Sequence, residues 1–163
     1  MERAEYIQVV DTYADMVYRV AYSYCRTGSD AEDVVQNVFL KLLESDTEFQ
    51  DVEHIRKWLI RVAANESKNL CTSFWKRHMV PLEISDSAFQ YEFPYRECSE
   101  LYDAVRKLPG KYSIVVLLYY YEEYAVKEIA ELLQIKETTV QTRLMRARQK
   151  LKAVLKEDWK DEQ

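Results

Sequence analysis

Glycine occurs only twice and proline only three times among the 163 residues. With so few turn-formers, a many-stranded sheet joined by tight hairpins is disfavoured and long helices are expected. No run of about 18 apolar residues exists, so no membrane insertion is expected. The N-terminal MERAEYIQ starts with charges and lacks the apolar stretch of a secretion signal, which predicts a cytoplasmic location. Histidine occurs only as His54 and His78, and the three cysteines, Cys25, Cys71 and Cys98, are widely spaced with no CxxC. That spacing points to neither a zinc site nor a disulfide framework, and free buried thiols are expected. There is no glycine-rich loop to cradle a phosphate. An enzyme is therefore the least favoured reading: no catalytic set, metal site or cofactor is expected, and the many carboxylates read as solvated faces.

What is abundant is apolar and aromatic. Apolar residues make up 48% of the chain, enough for a packed core, and 13 tyrosines are available to fill helix-packing faces. The net charge of -5 is unevenly spread. Residues 54–78 carry six cations (Arg56, Lys57, Arg61, Lys68, Lys76 and Arg77) against Glu66, a net +5. Residues 136–156 carry seven cations against Glu137, a net +6, which leaves -16 on the remainder. Two basic segments in an acidic chain can meet phosphates at two places and be repelled elsewhere.

The periodicity predicts helices over 5–26, over 30–45 and from about 53 to His78. Val9, Tyr13, Met16, Val17, Val20 and Tyr24 form the apolar stripe of the first. Gly28 suits a left-handed cap after it, and Asp30 suits the N-cap of the second. The second should bury Val34, Val35, Val38, Phe39 and Leu42, and the third Ile55, Trp58, Leu59, Val62 and Ala63. Residues 79–98 contain Pro81 and Pro94, carry a net -3 and show no helical period. They read as a linker between two small helical domains, 1–78 and 99–163. Beyond it, helices are expected over 100–108, 111–122 and 126–133, with a last one ending near Lys156. The fold class is therefore all-α.

The segment EIAELLQIKETTVQTRLMRARQKL, residues 128–151, is the most specific feature. Ile129, Ala130, Leu132 and Leu133 line the inner face of a short helix, and small Ala130 allows close approach of a second. Ile135 plugs the turn, and Val140 and Leu144 anchor the second helix. An exposed face remains with Thr138, Thr139, Gln141, Thr142, Arg143 and Arg146. A helix-turn-helix works this way: the N-terminal part of its second helix meets base edges while cations meet phosphates. Gln can read adenine and Arg can read guanine in the major groove. The competing reading is a plain helical hairpin with a solvated basic face.

LPGKYSIVVLLYYYEEYAVKEIAELLQIKETTVQTRLMRARQKLK (108–152) resembles the C-terminal promoter-binding domain of bacterial RNA polymerase sigma factors. DAEDVVQNVFLKLLE (30–44) is similar to the helix with which such factors bind the polymerase clamp. HIRKWLIRVAANESKNL (54–70) is similar to the adjoining helix that opens the promoter. Order and spacing fit a two-domain factor of the extracytoplasmic-function (ECF) type. The resemblance implies polymerase contacts at Asp33, Gln36 and Asn37, with Phe39 either beside them or in the core. It implies DNA contacts at Arg61, Asn65, Lys68, Asn69, Lys76 and Arg77 in the first domain, and at Thr139, Gln141, Thr142, Arg143 and Arg146 in the second. Trp58 either stacks on a base or packs in the core. Implied partners are core RNA polymerase, promoter DNA and an anti-sigma factor. Lys136 and Thr138 stand where the family usually has a small cap and Gly, so Thr138 or Thr139 is expected to cap the last helix. The alternative function is a free-standing helix-turn-helix regulator that dimerises and binds DNA without polymerase.

Overall fold

The computed structural model describes the backbone of residues 1–25, 27–77 and 104–161, and side chains outside 71–77 and 157–161. All regular structure among these residues is helical. The chain divides into two compact units, Met1–Tyr91 and Glu92–Gln163. The expected linker, 79–98, lies outside the described residues, as do His78 and the start of the helix expected over 100–108.

The first unit is a bundle of three mutually packed helices: α1 (Arg3–Tyr24), α2 (Gly28–Glu44) and α3 (Val52–Arg77). All five residues expected on the inner face of α2 are buried. Val17 and Val20 of α1, Val34, Val38 and Leu42 of α2, and Leu59 and Ile60 of α3 are essentially inaccessible. Each such side chain contributes roughly 1.5–3 kcal/mol by leaving water. Cys25 is a buried thiol in no disulfide.

The stripe of α3 differs from the expected one. Leu59, Ile60, Ala63, Ala64 and Ser67 are buried, whereas Ile55, Trp58 and Val62 are only half-buried. The core-facing line is rotated toward small residues because α3 packs on both α1 and α2. Alanine permits that close double contact. Ser67 tolerates full burial because its hydroxyl donates to the Ala63 carbonyl at 2.7 Å.

The α1–α2 junction also corrects the sequence reading. Cys25 leaves α1 in extended conformation (φ -87°, ψ 142°) and no glycine has positive φ, so Gly28 is not a left-handed cap. It opens α2 instead, behind Thr27. The Thr27 hydroxyl accepts from the Asp30 N–H at 3.2 Å. Thr27 is thus the N-cap, and Asp30 sits in the first turn, where its charge suits the positive helix end. At the start of α3, Asp51 Oδ1 accepts from the His54 N–H at 2.7 Å.

The second unit contains a short helical stretch, 104–107, then α4 (Gly110–Val116), α5 (Val126–Leu133) and α6 (Glu137–Asp161). The helix expected over 111–122 does not stay α. It widens into a π turn, Leu117–Tyr121, closed by the Glu122 N–H on the Leu117 carbonyl at 3.0 Å. Glu123 then turns the chain at φ 60° and Gln134 does so at φ 55°. Both bends that frame α5 are left-handed and neither uses glycine. After Gln134, the Ile135 N–H reaches back to the Ala130 carbonyl at 3.0 Å.

Candidate nucleic-acid interface

Helices α5 and α6 pack on each other, and α4 packs on α6. Ile129, Ala130, Leu132 and Leu133 are buried on the α5 side; Val140, Leu144 and Ala147 on the α6 side. The 3.6-residue period then decides the outer face of α6. Thr138, Gln141 and Arg146 are exposed, and Thr139, Thr142 and Arg143 are half-buried at its edge. The helix starts at Glu137, with the Val140 N–H bonded to the Lys136 carbonyl at 3.1 Å. Neither Thr138 nor Thr139 is therefore the cap. Both stand in the first turn, and the Thr142 hydroxyl donates to the Thr138 carbonyl at 2.9 Å.

A groove of about 320 Å³ runs between the first turn of α4 and this face of α6. Thr139, Thr142, Arg143 and Arg146 line it, so four of the five expected contact residues of this unit converge there. Gln141 is exposed but outside it. The opposite wall is Lys111 and Tyr112, which the sequence reading did not include. The Tyr112 ring is buried with Leu108, Val116 and Ala147. A side-chain hydrogen bond with Arg146, aided by the Lys111 charge, holds its hydroxyl below the usual tyrosine range. Lys111 and Lys150 lie 5.0 Å and 5.7 Å from the ring centroid. Arg148 belongs elsewhere. Its guanidinium sits 5.8 Å and 5.5 Å from the Tyr119 and Tyr120 rings, with Nε donating to the Tyr120 hydroxyl at 2.6 Å.

In the first unit, Arg61, Asn65 and Asn69 are exposed at four-residue spacing along α3. Lys68 is half-buried beside them, its ammonium 5.8 Å from the Tyr24 ring centroid. Lys76 and Arg77 end the helix, and their side chains lie outside the described residues. Trp58 is half-buried and meets the Phe49 ring edge-on at 5.8 Å. Phe39 is core, and its backbone carbonyl accepts from the Tyr6 hydroxyl at 2.9 Å. On α2, Asp33, Gln36 and Asn37 share the exposed face with Leu40 and Leu43, which are 54% and 63% exposed. These two leucines were not singled out from sequence. The break in the pattern, apolar residues out of phase with the buried face, was the available signal. Lys41 on this helix pairs with Glu66 of α3.

The family comparison bears on both units. Residues 9–77 match the profile of sigma-70 region 2, and residues 98–151 match that of sigma-70 region 4. The chain belongs to the sigma-70 family, as an ECF-type sigma factor. The sigma factor is 28% identical to the RNA polymerase sigma factor SigV of Bacillus subtilis (strain 168) over 130 residues, 80% of this chain and 78% of that one. It is also 28% identical to the ECF RNA polymerase sigma factor SigM of the same organism, over 95% of this chain and 98% of that one. Among solved structures, its fold is similar to that of the sigma factor RpoE from Bartonella quintana, crystallised with the anti-sigma factor NepR. The TM-score is 0.72 at 18% identity, covering 93% of this chain and 97% of that one. No described helix of the sigma factor is long and apolar enough to cross a membrane.

Proposed function

We propose that this sigma factor docks on core RNA polymerase through the exposed face of α2 and reads duplex promoter DNA with α6. Asp33, Gln36 and Asn37 supply polar contacts to the polymerase. Thr139, Gln141, Thr142, Arg143 and Arg146 meet the distal promoter element, the polar side chains at base edges and the arginines at guanine or phosphate. The observation that carries this reading is the cationic, hydroxyl-lined face of α6 on a buried helix-turn-helix, in a chain that matches regions 2 and 4 in order.

On α3, Arg61, Asn65, Lys68 and Asn69, with Lys76 and Arg77 at its end, engage the upstream side of the opening strands. Extruding a base costs a few kcal/mol of unstacking and unpairing. A surface that captures the exposed base and its phosphates offsets that cost and shifts the equilibrium toward melting. The sigma factor itself makes and breaks no substrate bond on this reading. The proposed division of labour is residues 1–78 for polymerase and the melting element, 79–98 as linker, and 99–163 for the distal element. A cytoplasmic location and control by an anti-sigma factor in a stress or envelope-signal response complete the proposal. Support for the inhibitor is that the RpoE structure holds an anti-sigma factor, and that the similar CnrH was solved with the cytosolic domain of CnrY.

The test is co-purification with core polymerase and promoter binding by the holoenzyme. Asp33→Ala with Gln36→Ala should weaken co-purification, and Arg146→Ala should weaken promoter binding while leaving co-purification intact. Loss of polymerase binding on Arg146→Ala would reverse the assignment of the two units. A native chain that ignores polymerase yet binds an operator as a dimer would establish the free-standing regulator instead.

A further inference from the structure

The α4–α6 groove has a chemistry that the helix-turn-helix alone does not require. Its lining contains three cations (Lys111, Arg143 and Arg146) and no carboxylate. Lys150 joins them at the Tyr112 ring. Like charges gathered on one side of a net acidic chain repel one another unless an anion enters among them. Tyr112 is also unusually constrained. Its ring is fixed in the cluster with Leu108, Val116 and Ala147, so it lines the groove with Arg146 in one set position. A guanidinium flanked by a fixed ring across the groove has fewer rotamers to lose on binding than one on a free stem.

We infer that this groove seats one phosphodiester group of promoter DNA, with Lys111 contacting it from outside the helix-turn-helix and Tyr112 acting as the positioning residue that aims Arg146. The inference rests on the proposal that α6 reads duplex DNA. Lys111 supplies a point charge to one non-bridging oxygen, and Arg146 supplies directed N–H donors to the other. The Thr142 hydroxyl is committed to the Thr138 carbonyl, which leaves Thr138, Thr139 and Tyr112 as the hydroxyl donors of the seat. The contact carries no sequence information. It sets the register of α6 on the backbone, so that the same side chains face the same base pairs each time.

The experiment measures promoter binding by the holoenzyme against salt concentration, on a fragment selected by the native holoenzyme from a randomised library. Lys111→Ala should lower the slope of log affinity against log salt by about 1. It should also weaken binding several-fold and equally across promoter variants, and Lys111→Arg should restore both. Lys156→Ala, the same charge loss at an exposed site farther along α6, should leave the slope almost unchanged. Tyr112→Phe keeps the ring and removes the hydroxyl. It should weaken binding in the native background and add nothing to Arg146→Ala, because the two act as a unit. The inference is overturned if Lys111→Ala matches Lys156→Ala, if its effect depends on promoter sequence, or if Tyr112→Phe and Arg146→Ala are additive. A holoenzyme whose promoter binding is indifferent to Arg146→Ala would remove the DNA-binding assignment of this face of α6 and this inference with it. Loss on Arg146→Ala with no loss on Lys111→Ala removes the inference alone.

Discussion

The Arg148 Nε donates to the Tyr120 hydroxyl at 2.6 Å, and this bond ties the middle of α6 to the π turn that follows α4, 28 residues earlier. Arg148 sits in the most basic stretch of the chain, two residues from Arg146, yet its guanidinium is engaged by Tyr119 and Tyr120 rather than by the groove. Neighbouring arginines on one helix thus have different work. Arg148→Ala should destabilise the C-terminal unit by about 1 kcal/mol, from the hydrogen bond and the cation–π contact. Promoter preference should be unchanged. Thermal unfolding with promoter binding checks it; a shift in sequence preference would mean that Arg148 faces DNA.

The turn between α5 and α6 holds Gln134 at φ 55°. A side chain there has a Cβ that crowds the following carbonyl, and glycine does not. Gln134→Gly should raise stability by about 1 kcal/mol, read as a higher unfolding midpoint of the second unit. A loss would show that the Gln134 side chain itself contributes to the turn.

Tyr6 links α1 to the backbone of α2 through its hydroxyl, which donates to the Phe39 carbonyl at 2.9 Å. Burial raises its pKa above the ordinary 10.0. The folded state therefore holds this proton more tightly than the unfolded chain. Its contribution is complete below pH 10 and is lost as pH rises through the folded pKa. Tyr13 acts in the same direction, its pKa raised chiefly by desolvation. Tyr6→Phe should cost about 1 kcal/mol at neutral pH. It should also flatten the fall in stability above pH 10, measured by denaturant unfolding at a series of pH values.

Leu40 and Leu43 are exposed on the same face as Asp33, Gln36 and Asn37. Replacing both by Ser should change stability by less than about 0.5 kcal/mol, because they leave no core position empty. Affinity for core polymerase should drop roughly tenfold or more if that face is the docking surface. Unchanged co-purification would move the docking surface off this side of α2.

Several features of the fold are written locally and were readable. The buried face of α2 and the paired apolar faces of α5 and α6 follow from a 3.6-residue period that each helix carries in its own sequence. The basic face of α6 follows by subtraction. Gly28 misled because glycine signals a left-handed cap statistically, whereas here a Thr27 hydroxyl three residues before Asp30 opens the next helix. The breaks after 122 and 133 were expected, but the left-handed geometry of Glu123 and Gln134 was not, since neither is the residue type that advertises positive φ.

By itself the amino-acid sequence determined an all-helical chain, two basic segments in an acidic background, and a helix-turn-helix whose outer face carries hydroxyls and arginines. These depend on composition and on the spacing of neighbours along one helix. Tertiary structure decided which line of α3 faces the core, because two partner helices select its small residues together. It also decided that Arg148 joins Tyr120 while Arg146 joins Tyr112 and Lys111 in one groove. Those pairs lie on separate helices, and only the packing of α4 and the π turn against α6 brings them within reach, which no local period encodes.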